Sequence, residues 1–565
     1  MLIILILISG CSTNETAEDK FIAVNHVGYR PEFRKIVFTN LDCDEFGVID
    51  AKTGTNVFTG KLILHQSFDP ETGEKIFTGD FSDFGDSGTF IIRIGSLSSV
   101  EFEITEKPYE HAYANALKSF YFQRCGVELD SVYAGEFVHK TCHVNDAVYH
   151  STTQMNGRKD MTGGWHDAGD YGKYVVNAGI TVGTMLMAYE HHPYFFNSDS
   201  IGIPESHNSI PDLLDECRFE LEWLLKMQHN DGGVHHKVTR EKFAPFIMPE
   251  EDTETRFIFE ISSTATADFC AVMALASRIF AVYDDQFATI CERAALKSWQ
   301  FLEKFPQMIP DKGFRNPEGV NTGGYGDFSD QDERLWAAME LYLTTKDVKY
   351  KNYYNTNYHE SKLIETHMSW PFVDNLAHLS YLKADLKMTD EAIRSEIVRS
   401  LVSYSDTLVA MHEQSGFHVL LRSGEYEWGC NSTIMNRAIL LISAYKETGD
   451  EKYLHVAFDQ LHFLMGTNVQ RMTFITGIGD TYPMNIHLRQ AAADMIAEPI
   501  PGFLVGGANQ KLQDAVLRKA YNKTTPPAKC YLDVLESYAS NEVAINWNAP
   551  LLYVMGYLNS VQLQN

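Results

Sequence analysis

A glycine-rich stretch, residues 163–174, contains two acidic side chains at a spacing that could serve catalysis. It reads Gly-Gly-Trp-His-Asp-Ala-Gly-Asp-Tyr-Gly-Lys-Tyr, so Asp167 and Asp170 stand three positions apart between aromatic residues. A loop of this kind presents its carboxylates to a ligand, where they can accept a proton from water. The spacing alone leaves a turn-forming or cation-binding pair of aspartates as an open alternative.

A second candidate segment, residues 541–550, carries a single acid near the end of the chain. Glu542 stands there among apolar and amide residues. Withdrawal from water raises the pKa of a carboxyl group, and a glutamic acid that stays protonated at neutral pH can act as a general acid. Taken alone, a buried structural glutamate is the more common case. Together, the two segments suggest hydrolysis of glycosidic bonds by paired carboxylates.

The composition limits the classes of partner. The chain has 565 residues, 44% hydrophobic and 22% charged, which is typical of a globular protein with two compact units. Its formal net charge of -28 repels phosphate backbones and anionic membranes, so we expect no nucleic-acid partner. A neutral substrate suits this charge. Aromatic residues make up 12% of the chain, and flat rings can grip sugars, although most such rings fill the core.

Two kinds of hydrophobic pattern divide the chain. Short apolar runs, several alternating with period two as in residues 100–104, predict a small antiparallel β-sandwich over residues 20–106. Helical periodicity then recurs through residues 107–565, for example at Leu214, Cys217 and Leu221. The predicted fold is therefore mainly α. A ring of helical hairpins is one way to close such a domain, and a polyprenyl-cyclase-type toroid would fit the helices but not the paired aspartates.

The first residues indicate export from the cell. Residues 2–8 are apolar but too few to cross a bilayer, for which about 20 are needed. They suit the core of a secretory signal, and Ile8-Ser9-Gly10-Cys11 resembles a bacterial lipobox. We therefore expect residues 1–19 to be a signal and tether, with a lipid anchor at Cys11 in the bacterial cell envelope; an unlipidated secreted form is the alternative.

Several motifs in a fixed order carry a resemblance to a known family. They are residues 24–31 (Val-Asn-His-Val-Gly-Tyr-Arg-Pro), the Asp-Ala-Gly-Asp loop, residues 486–489 (Ile-His-Leu-Arg), residues 498–509, and the signature from Tyr531 to Ala549 that includes Asp533 and Glu542. With these motifs the chain resembles glycoside hydrolase family 9, the cellulase family, in its branch with an N-terminal immunoglobulin-like domain. The resemblance implies a mainly α, (α/α)6 barrel catalytic domain preceded by that β-sandwich.

The resemblance also implies roles for individual residues. Glu542 becomes the proton donor, Asp170 the base that activates water, and Asp167 a group that helps to hold this water. Such enzymes invert the anomeric centre, so the acid and the base are expected about 6.5–9.5 Å apart. No cofactor takes part in catalysis. The residues that the resemblance places on the substrate are His487, Arg489, Trp428, His236 and Asp533.

Two metal sites are further expectations. Cys125, Cys142, His143 and His166 offer two thiolates and two imidazoles, which is a closed tetrahedral zinc set. Their spacing is not that of a standard finger, so buried cysteines are the reading from spacing alone, whereas the resemblance implies structural zinc that supports the loop of Asp167. A calcium site is also implied, at Ser329, Asp332, Glu333 and Asp374, although acids at a helix N-terminus explain two of these equally well.

The function that we expect from the sequence is hydrolysis of β-1,4-glucosidic bonds in cellulose-type β-glucans by an endoglucanase-like enzyme. One alternative is an exo-acting cellobiosidase or exo-β-glucosaminidase that works on short oligosaccharides. An alternative from another class is a non-catalytic glycan-binding lipoprotein. The three carboxylates favour the enzyme over that last alternative.

Overall fold

The computed structural model describes residues 20–360 and 363–562. The predicted signal segment and Cys11 lie outside the described residues. Nine strands form the N-terminal part: β1 (Ile22–Ala23), β2 (Gly28–Tyr29), β3 (Ile36–Thr39), β4 (Glu45–Asp50), β5 (Asn56–Gln66), β6 (Ile76–Asp80), β7 (Gly88–Ile94), β8 (Leu97–Ser98) and β9 (Phe102–Ile104).

These strands form the predicted β-sandwich. Their pairing order is β1-β3-β6-β5-β4-β7-β9-β2, with β8 paired to β7. Strand β5 serves both layers, because its first half pairs with β4 and its second half with β6. Alternate side chains of the strands, such as Val48, Ile92 and Phe102, meet in one apolar core between the layers.

Helices dominate the rest of the chain. They are α1 (Glu110–Phe122), α2 (Ser131–Ala134), α3 (Val175–His191), α4 (Asp212–Met227), α5 (Ser263–Phe280), α6 (Asp285–Lys304), α7 (Gln331–Thr345), α8 (Val348–Asn357), α9 (Asp374–Lys383), α10 (Glu391–Gln414), α11 (Cys430–Thr448), α12 (Glu451–Leu464), α13 (Arg489–Ala493), α14 (Ala515–Ala520), α15 (Tyr538–Asn541) and α16 (Ile545–Ser560). Short strands between them are β10 (Val148–Tyr149), β11 (Lys173–Tyr174), β12 (Val234–His235), β13 (Lys237–Thr239), β14 (Phe257–Ile258) and β15 (Ile261–Ser262).

The long helices alternate between inner and outer positions. Helix α5 is buried on nearly all sides and packs against α3 and α7, whereas α6 buries one face and exposes the other. In the same way α3 pairs with α4, α7 with α8, and α11 with α12. The last helix, α16, packs against both α11 and α3, so it lies between a late and an early helix of the helical domain.

The inner helices fix where the predicted site residues lie. The loop with Asp167 and Asp170 leads through β11 into α3, Trp428 stands just before α11, and Glu542 stands just before α16. Because α16 packs against both α3 and α11, these loops are brought to a common end of the helical domain.

The sandwich is docked on the helical domain by specific contacts. The backbone N–H of His26 donates to the carbonyl of Met465 at 2.8 Å, and the ring of Tyr29 lies edge-on to His462 with 4.9 Å between centroids. Among residues 20–360 and 363–562, no helix has both the length and the apolar character needed to cross a bilayer.

Candidate active site

The aspartate loop and the segment of Glu542 are joined by backbone contacts. Ala168 and Ala544 form an antiparallel bridge, and the N–H of Ile545 donates to the carbonyl of Asp167 at 2.9 Å. A side chain at Gly169 would meet both segments, because its Cβ would lie 2.1 Å from the carbonyl oxygen of His487 and 3.0 Å from Oε1 of Glu542. The acids that are far apart in sequence therefore share one site.

Glu542 is a partly buried acid whose neighbours define its protonation. Burial, followed by the charge of Asp170, raises its pKa well above the ordinary value. Its Oε2 accepts a hydrogen bond from the indole Nε1 of Trp428 at 3.1 Å, and the backbone N–H of Gly169 also donates to the carboxyl group. A protonated carboxyl group in this setting can donate its proton to a leaving oxygen.

Asp170 is held by two donors that both reach one of its oxygens. Its Oδ2 accepts from the backbone N–H of Gly172 at 2.8 Å and from the hydroxyl of Tyr174 at 3.1 Å. The Tyr174 hydroxyl in turn accepts from the N–H of Gly323 at 3.0 Å, which ties Asp170 to the loop before α7. This arrangement fixes the carboxylate and leaves Oδ1 for other donors.

Asp167 is more deeply buried than Asp170 and is bound on both oxygens. Asn177 donates to Oδ1, and the hydroxyl of Tyr325 donates to Oδ2 at 2.6 Å. Burial and the charge of Asp170 raise its pKa to about 7. Sequence reasoning missed Tyr325, since nothing in the amino-acid sequence distinguishes it from the other 27 tyrosines.

The predicted substrate residues His487 and Trp428 line the same site. Nδ1 of His487 bonds the carbonyl of Leu535 at 2.6 Å, so its Nε2 is the atom available to a ligand. The His487 ring lies edge-on to Phe246 and Tyr538, with centroids 5.2 and 5.9 Å apart. Trp428 is 41% exposed, and its ring centroid is 5.1 Å from that of Tyr538.

Arg489 and Asp533 brace the backbone of the site. Arg489 is 7% exposed and donates from Nε to the carbonyl of Ala244 at 2.8 Å and from Nη1 to the carbonyl of Gly169 at 2.5 Å. Both oxygens of Asp533 accept at 2.8 Å from the backbone N–H groups of Met484 and Asn485. Asp533 therefore holds the strand-like segment that leads to His487.

His236 differs from its expected place on the substrate. It is fully buried, its Nδ1 bonds Oγ of Ser262 at 2.8 Å, and its Nε2 bonds the carbonyl of Gly324 at 2.8 Å. Its ring stacks on Phe314 at 3.9 Å. Both ring nitrogens are thus occupied by protein groups, and the side chain supports the loop of Tyr325 instead of facing a sugar.

The four residues predicted to bind zinc are gathered in the interior. Donor atoms of Cys125, Cys142, His143 and His166 all lie within 4.8 Å of one another, and all four residues are buried. Nδ1 of His143 is 3.6 Å from Sγ of Cys125 and 3.2 Å from Nε2 of His166. Nε2 of His143 faces Oδ2 of Asp252 at 3.3 Å, the outer contact that orients many metal-binding histidines.

The residues predicted to bind calcium belong to a buried group of acids. Glu333 is fully buried, and neither of its carboxylate oxygens has a hydrogen-bond partner among the described residues. Oδ2 of Asp332 accepts from the N–H of Val373 at 2.9 Å, which brings the start of α9, with Asp374, to this place. Sequence reasoning missed Asp268 of α5, which is also fully buried. Burial, followed by the charges of Asp332 and Asp268, raises the pKa of Glu333 well above its ordinary value.

The calcium candidates are less closely gathered than the zinc candidates. Within the part of the chain that the structure describes, Asp332, Glu333 and Asp374 do not have all their donor atoms within 4.8 Å of one another. Ser329 lies on the loop just before α7, two residues after Asp327 and with its N–H directed to that carboxylate at 3.2 Å.

Comparison with known proteins gives matches over nearly the whole chain. Residues 109–555 match the model for glycosyl hydrolase family 9, and residues 17–99 match that for the cellulase N-terminal ig-like domain. The chain is 39% identical to endoglucanase D of Acetivibrio thermocellus over 97% of this chain and 82% of that protein. It is 35% identical to the xyloglucan-specific endo-beta-1,4-glucanase BoGH9A of Bacteroides ovatus over 96% and 94% of the two chains.

One solved structure among the similar proteins is described as zinc-binding. The structure described as a Zn-binding triple mutant of the family 9 endoglucanase J30 superimposes with a TM-score of 0.88 at 32% identity. The superposition covers 94% of this chain and 99% of that chain.

Proposed function

The chain belongs to glycosyl hydrolase family 9 and is a β-1,4-glucan hydrolase with an N-terminal immunoglobulin-like domain, and we propose that it cleaves cellulose-type glucans within the chain, with inversion. The observation that carries this proposal is the junction of the aspartate loop with the segment of Glu542, where Gly169 lies against the glutamate carboxyl group. The proposed acid and the two aspartates thus stand on segments that contact each other.

Glu542 is the proposed acid. Its raised pKa keeps the carboxyl group protonated in the resting enzyme, so it can donate a proton to the glycosidic oxygen as the bond breaks. The indole N–H of Trp428 stabilises the carboxylate that is left behind. Burial thus favours the protonated form of Glu542 before the reaction, and the hydrogen bond from Trp428 favours the charged form after it.

Asp170 is the proposed base. The donors Gly172 and Tyr174 hold its Oδ2, so Oδ1 can accept a proton from the attacking water. Asp167, fixed by Asn177 and Tyr325, takes the second hydrogen bond of that water and so directs its lone pair at the anomeric carbon.

Aromatic side chains around Glu542 provide the proposed sugar contacts. Trp428 and Tyr538 present a partly exposed ring surface, and Nε2 of His487 can bind a hydroxyl group beside the acid. Arg489 positions the loop of Gly169 through its backbone contacts. The N–H donors that these contacts do not use can bind a sugar hydroxyl group.

Three measurements test the proposed mode of action. Nuclear magnetic resonance of a soluble cello-oligosaccharide during hydrolysis should show the α-anomer first, whereas a β-anomer would exclude inversion. Viscosity of a soluble glucan should fall before many reducing ends appear, whereas a parallel course would favour the exo-acting alternative. Glu542→Gln and Asp170→Asn should each lower kcat by at least about 10³-fold with the fold intact, and full turnover in either variant would refute its role.

Structural zinc is proposed for the buried Cys/His set. Tetrahedral zinc with bonds of about 2.0–2.3 Å needs ligand atoms about 3.3–3.8 Å apart, which is close to the 3.2 and 3.6 Å found around His143. Cys125, Cys142, His143 and His166 would hold the ion, and since His166 directly precedes Asp167, they would fix the start of the catalytic loop. The ion would supply no chemistry to the reaction.

Calcium is proposed for the acids before and within α7. The oxygens of Glu333 and Asp268 are buried without hydrogen-bond donors among the described residues, and hard oxygen donors of this kind suit Ca²⁺. Asp332 and Glu333 would bind the ion, with Ser329 and Asp374 completing the set as the loops close on it. Its charge would offset that of the buried acids.

The architecture and location are inferred in the same way. We infer that α3, α5, α7, α9, α11 and α16 form the inner ring of an (α/α)6 barrel, which the packing of α16 on α3 supports.

The lipobox-like sequence at Cys11 supports a lipoprotein of the bacterial cell envelope that meets its glucan outside the cytoplasm.

A further inference from the structure

A second set of possible metal ligands lies where the sandwich meets the helical domain. It consists of His412 in the last turn of α10, His418 in the loop that follows, and Asp459 in α12. Their donor atoms all lie within 4.8 Å of one another, and each residue is at most 5% exposed. This trio shares no residue with the active site or with the Cys/His set.

The distances within the trio suit a small dication. Nε2 of His412 is 2.7 Å from Oδ2 of Asp459, and Nδ1 of His418 is 3.8 Å from the same oxygen. Tetrahedral zinc with bonds of about 2.0–2.1 Å needs ligand atoms about 3.4 Å apart, so these two distances bracket the required value. A shift of a few tenths of an ångström in each side chain would admit the ion.

His418 has an unused donor atom in this buried place. Its Nδ1 has no hydrogen-bond partner among the described residues and faces the carboxylate of Asp459. Its backbone is in the left-handed region at φ 57°, which is uncommon for residues other than glycine. Gln460 holds that conformation by donating to the carbonyl of His418 at 2.9 Å. An unpartnered nitrogen kept in a strained position indicates a ligand that the protein chain itself does not supply.

The two histidines of the trio line an open cavity. A cavity of about 380 Å³ between the two domains is lined by His412 and His418, with His65 of β5 at its edge. The His65 ring is 4.9 Å from that of His418, and its Nε2 bonds the carbonyl of Ser415 at 2.9 Å. With Nε2 on a carbonyl, Nδ1 is the ring nitrogen of His65 that this hydrogen bond leaves for a ligand.

We propose that His412, His418 and Asp459 bind a borderline divalent transition-metal ion of the Zn²⁺ type, with His65 as a further ligand from the sandwich. Two imidazoles and one carboxylate are a donor set that such ions prefer. On binding, the proton with which Nε2 of His412 hydrogen-bonds Asp459 leaves Nε2 and the ring carries its proton on Nδ1, so Nε2 binds the metal and the carboxylate exchanges a hydrogen bond for a metal bond. The ion would join α10, α12 and the sandwich.

Arg34 of the sandwich gives the proposal a sharp test. Its Nη1 donates to Oδ2 of Asp459 at 2.9 Å, so it orients the carboxylate but also places a positive charge beside the proposed ion. Removing this charge should tighten metal binding by about tenfold. The repulsion between a unit and a double charge about 6 Å apart corresponds to about that change in affinity even in water. If Arg34 and Asp459 formed only an ion pair between domains, Arg34→Met would have no such effect.

The experiment uses the full chain stripped with a chelator and titrated with Co²⁺ alone. Cobalt bound by the thiolates of the Cys/His set absorbs strongly in the near ultraviolet, whereas an ion on imidazole and carboxylate shows only weak visible bands. We expect a second equivalent without the thiolate band, lost in His418→Gln and in His412→Gln but kept in His455→Gln, a control on the same cavity. Arg34→Met should bind this equivalent about tenfold more tightly.

Each outcome decides the proposal. A single cobalt equivalent that always carries the thiolate band would overturn it. A second equivalent that persists in both His412→Gln and His418→Gln would place the ion elsewhere and would overturn it as well. Circular dichroism and thermal unfolding establish that the variants are folded. If one histidine variant fails to fold, cobalt binding by the other histidine variant tests the proposal.

Discussion

The indole Nε1 of Trp428 donates a hydrogen bond to Oε2 of Glu542 at 3.1 Å. Trp428, which the family resemblance places on the substrate, therefore also touches the proposed acid. A donor to a carboxylate favours the charged form and so lowers the pKa of Glu542, against the larger effects of burial and of Asp170, which raise it.

Trp428→Phe separates these two functions of the side chain. Phenylalanine keeps a ring for stacking but has no N–H, so we expect the pKa of Glu542 to rise further. The alkaline limb of kcat/KM should move to higher pH by up to about one unit, with KM nearly unchanged. Trp428→Ala, which also removes the ring, should raise KM in addition. An unshifted alkaline limb in Trp428→Phe would show that the hydrogen bond does not tune the acid.

Glu542 should also make the stability of the protein depend on pH. The pKa of Glu542 in the folded protein is raised well above the unfolded value of about 4.3. Its contribution to the free energy of unfolding is therefore complete below a pH of about 4.3 and is lost as pH rises through the folded pKa. Glu542→Gln removes this loss. The variant should therefore gain Tm relative to the native protein as pH rises from 5 to 8, by about 1–2 °C.

The matched control for that measurement is Glu536→Gln. Glu536 is exposed and stands six positions earlier on the same segment. Its variant should follow the native Tm across the whole pH range. If Glu542→Gln also followed the native curve, the glutamate would not be held in its neutral form by the folded protein.

Tyr325 should act on the rate through Asp167. Tyr325→Phe removes the hydroxyl that donates to Oδ2 of Asp167 at 2.6 Å, and the carboxylate can then turn away from the water it holds. We expect kcat to fall by about 10–100-fold, the equivalent of one hydrogen bond to a charged group, with little change in KM. Tyr189→Phe is the control, since that hydroxyl bonds Tyr283 at 2.5 Å. An equal loss in both variants would mean a general effect on the fold.

The residues proposed for catalysis could be singled out from the sequence because they stand in long, ordered motifs, and their roles stay predictions. The junction of Gly169 with Glu542 brings together two segments that were recognised separately. Tyr325 and Asp268 could not be found in this way, since their roles depend on which loops and helices meet in space. The burial of Asp268 in α5 is set by the packing of α5 on α3 and α7.

The fold was predictable to a similar degree. Period-two runs and helical periodicity predicted a sandwich followed by helices, and both are present. What the pattern could not supply was the side-chain environment. His236 matched a position that contacts ligands in the family, but in this chain Ser262 and Gly324 occupy its two nitrogens. Hydrogen-bond partners of this kind are fixed by tertiary contacts, which a one-dimensional motif does not record.

Removal of zinc should loosen the catalytic loop. The purified protein, washed free of loosely bound metal, should contain about one equivalent of zinc by elemental analysis. A sample stripped of that ion by a strong chelator should unfold at lower temperature and lose activity, and zinc should restore both. Asp252→Asn, which weakens the contact at 3.3 Å to His143, should lower zinc affinity by about 10–100-fold. Cys43→Ser changes a free thiol of the sandwich and should leave zinc content unchanged. A fully zinc-free protein with native Tm and activity would refute a structural ion.

The buried acids around Glu333 predict opposite effects of one substitution with and without calcium. In calcium-free buffer, Glu333→Gln should raise Tm by about 2 °C, because an amide replaces a carboxylate that is buried beside Asp268 and Asp332 without donors of its own among the described residues. With excess Ca²⁺, the native protein should gain more Tm than the variant, because the variant lacks a charged oxygen ligand. Asp285→Asn, a change in the first turn of α6 on the protein surface, should leave the calcium response unaltered. Equal calcium-induced shifts in the native protein and in Glu333→Gln would show that the ion does not bind at these acids.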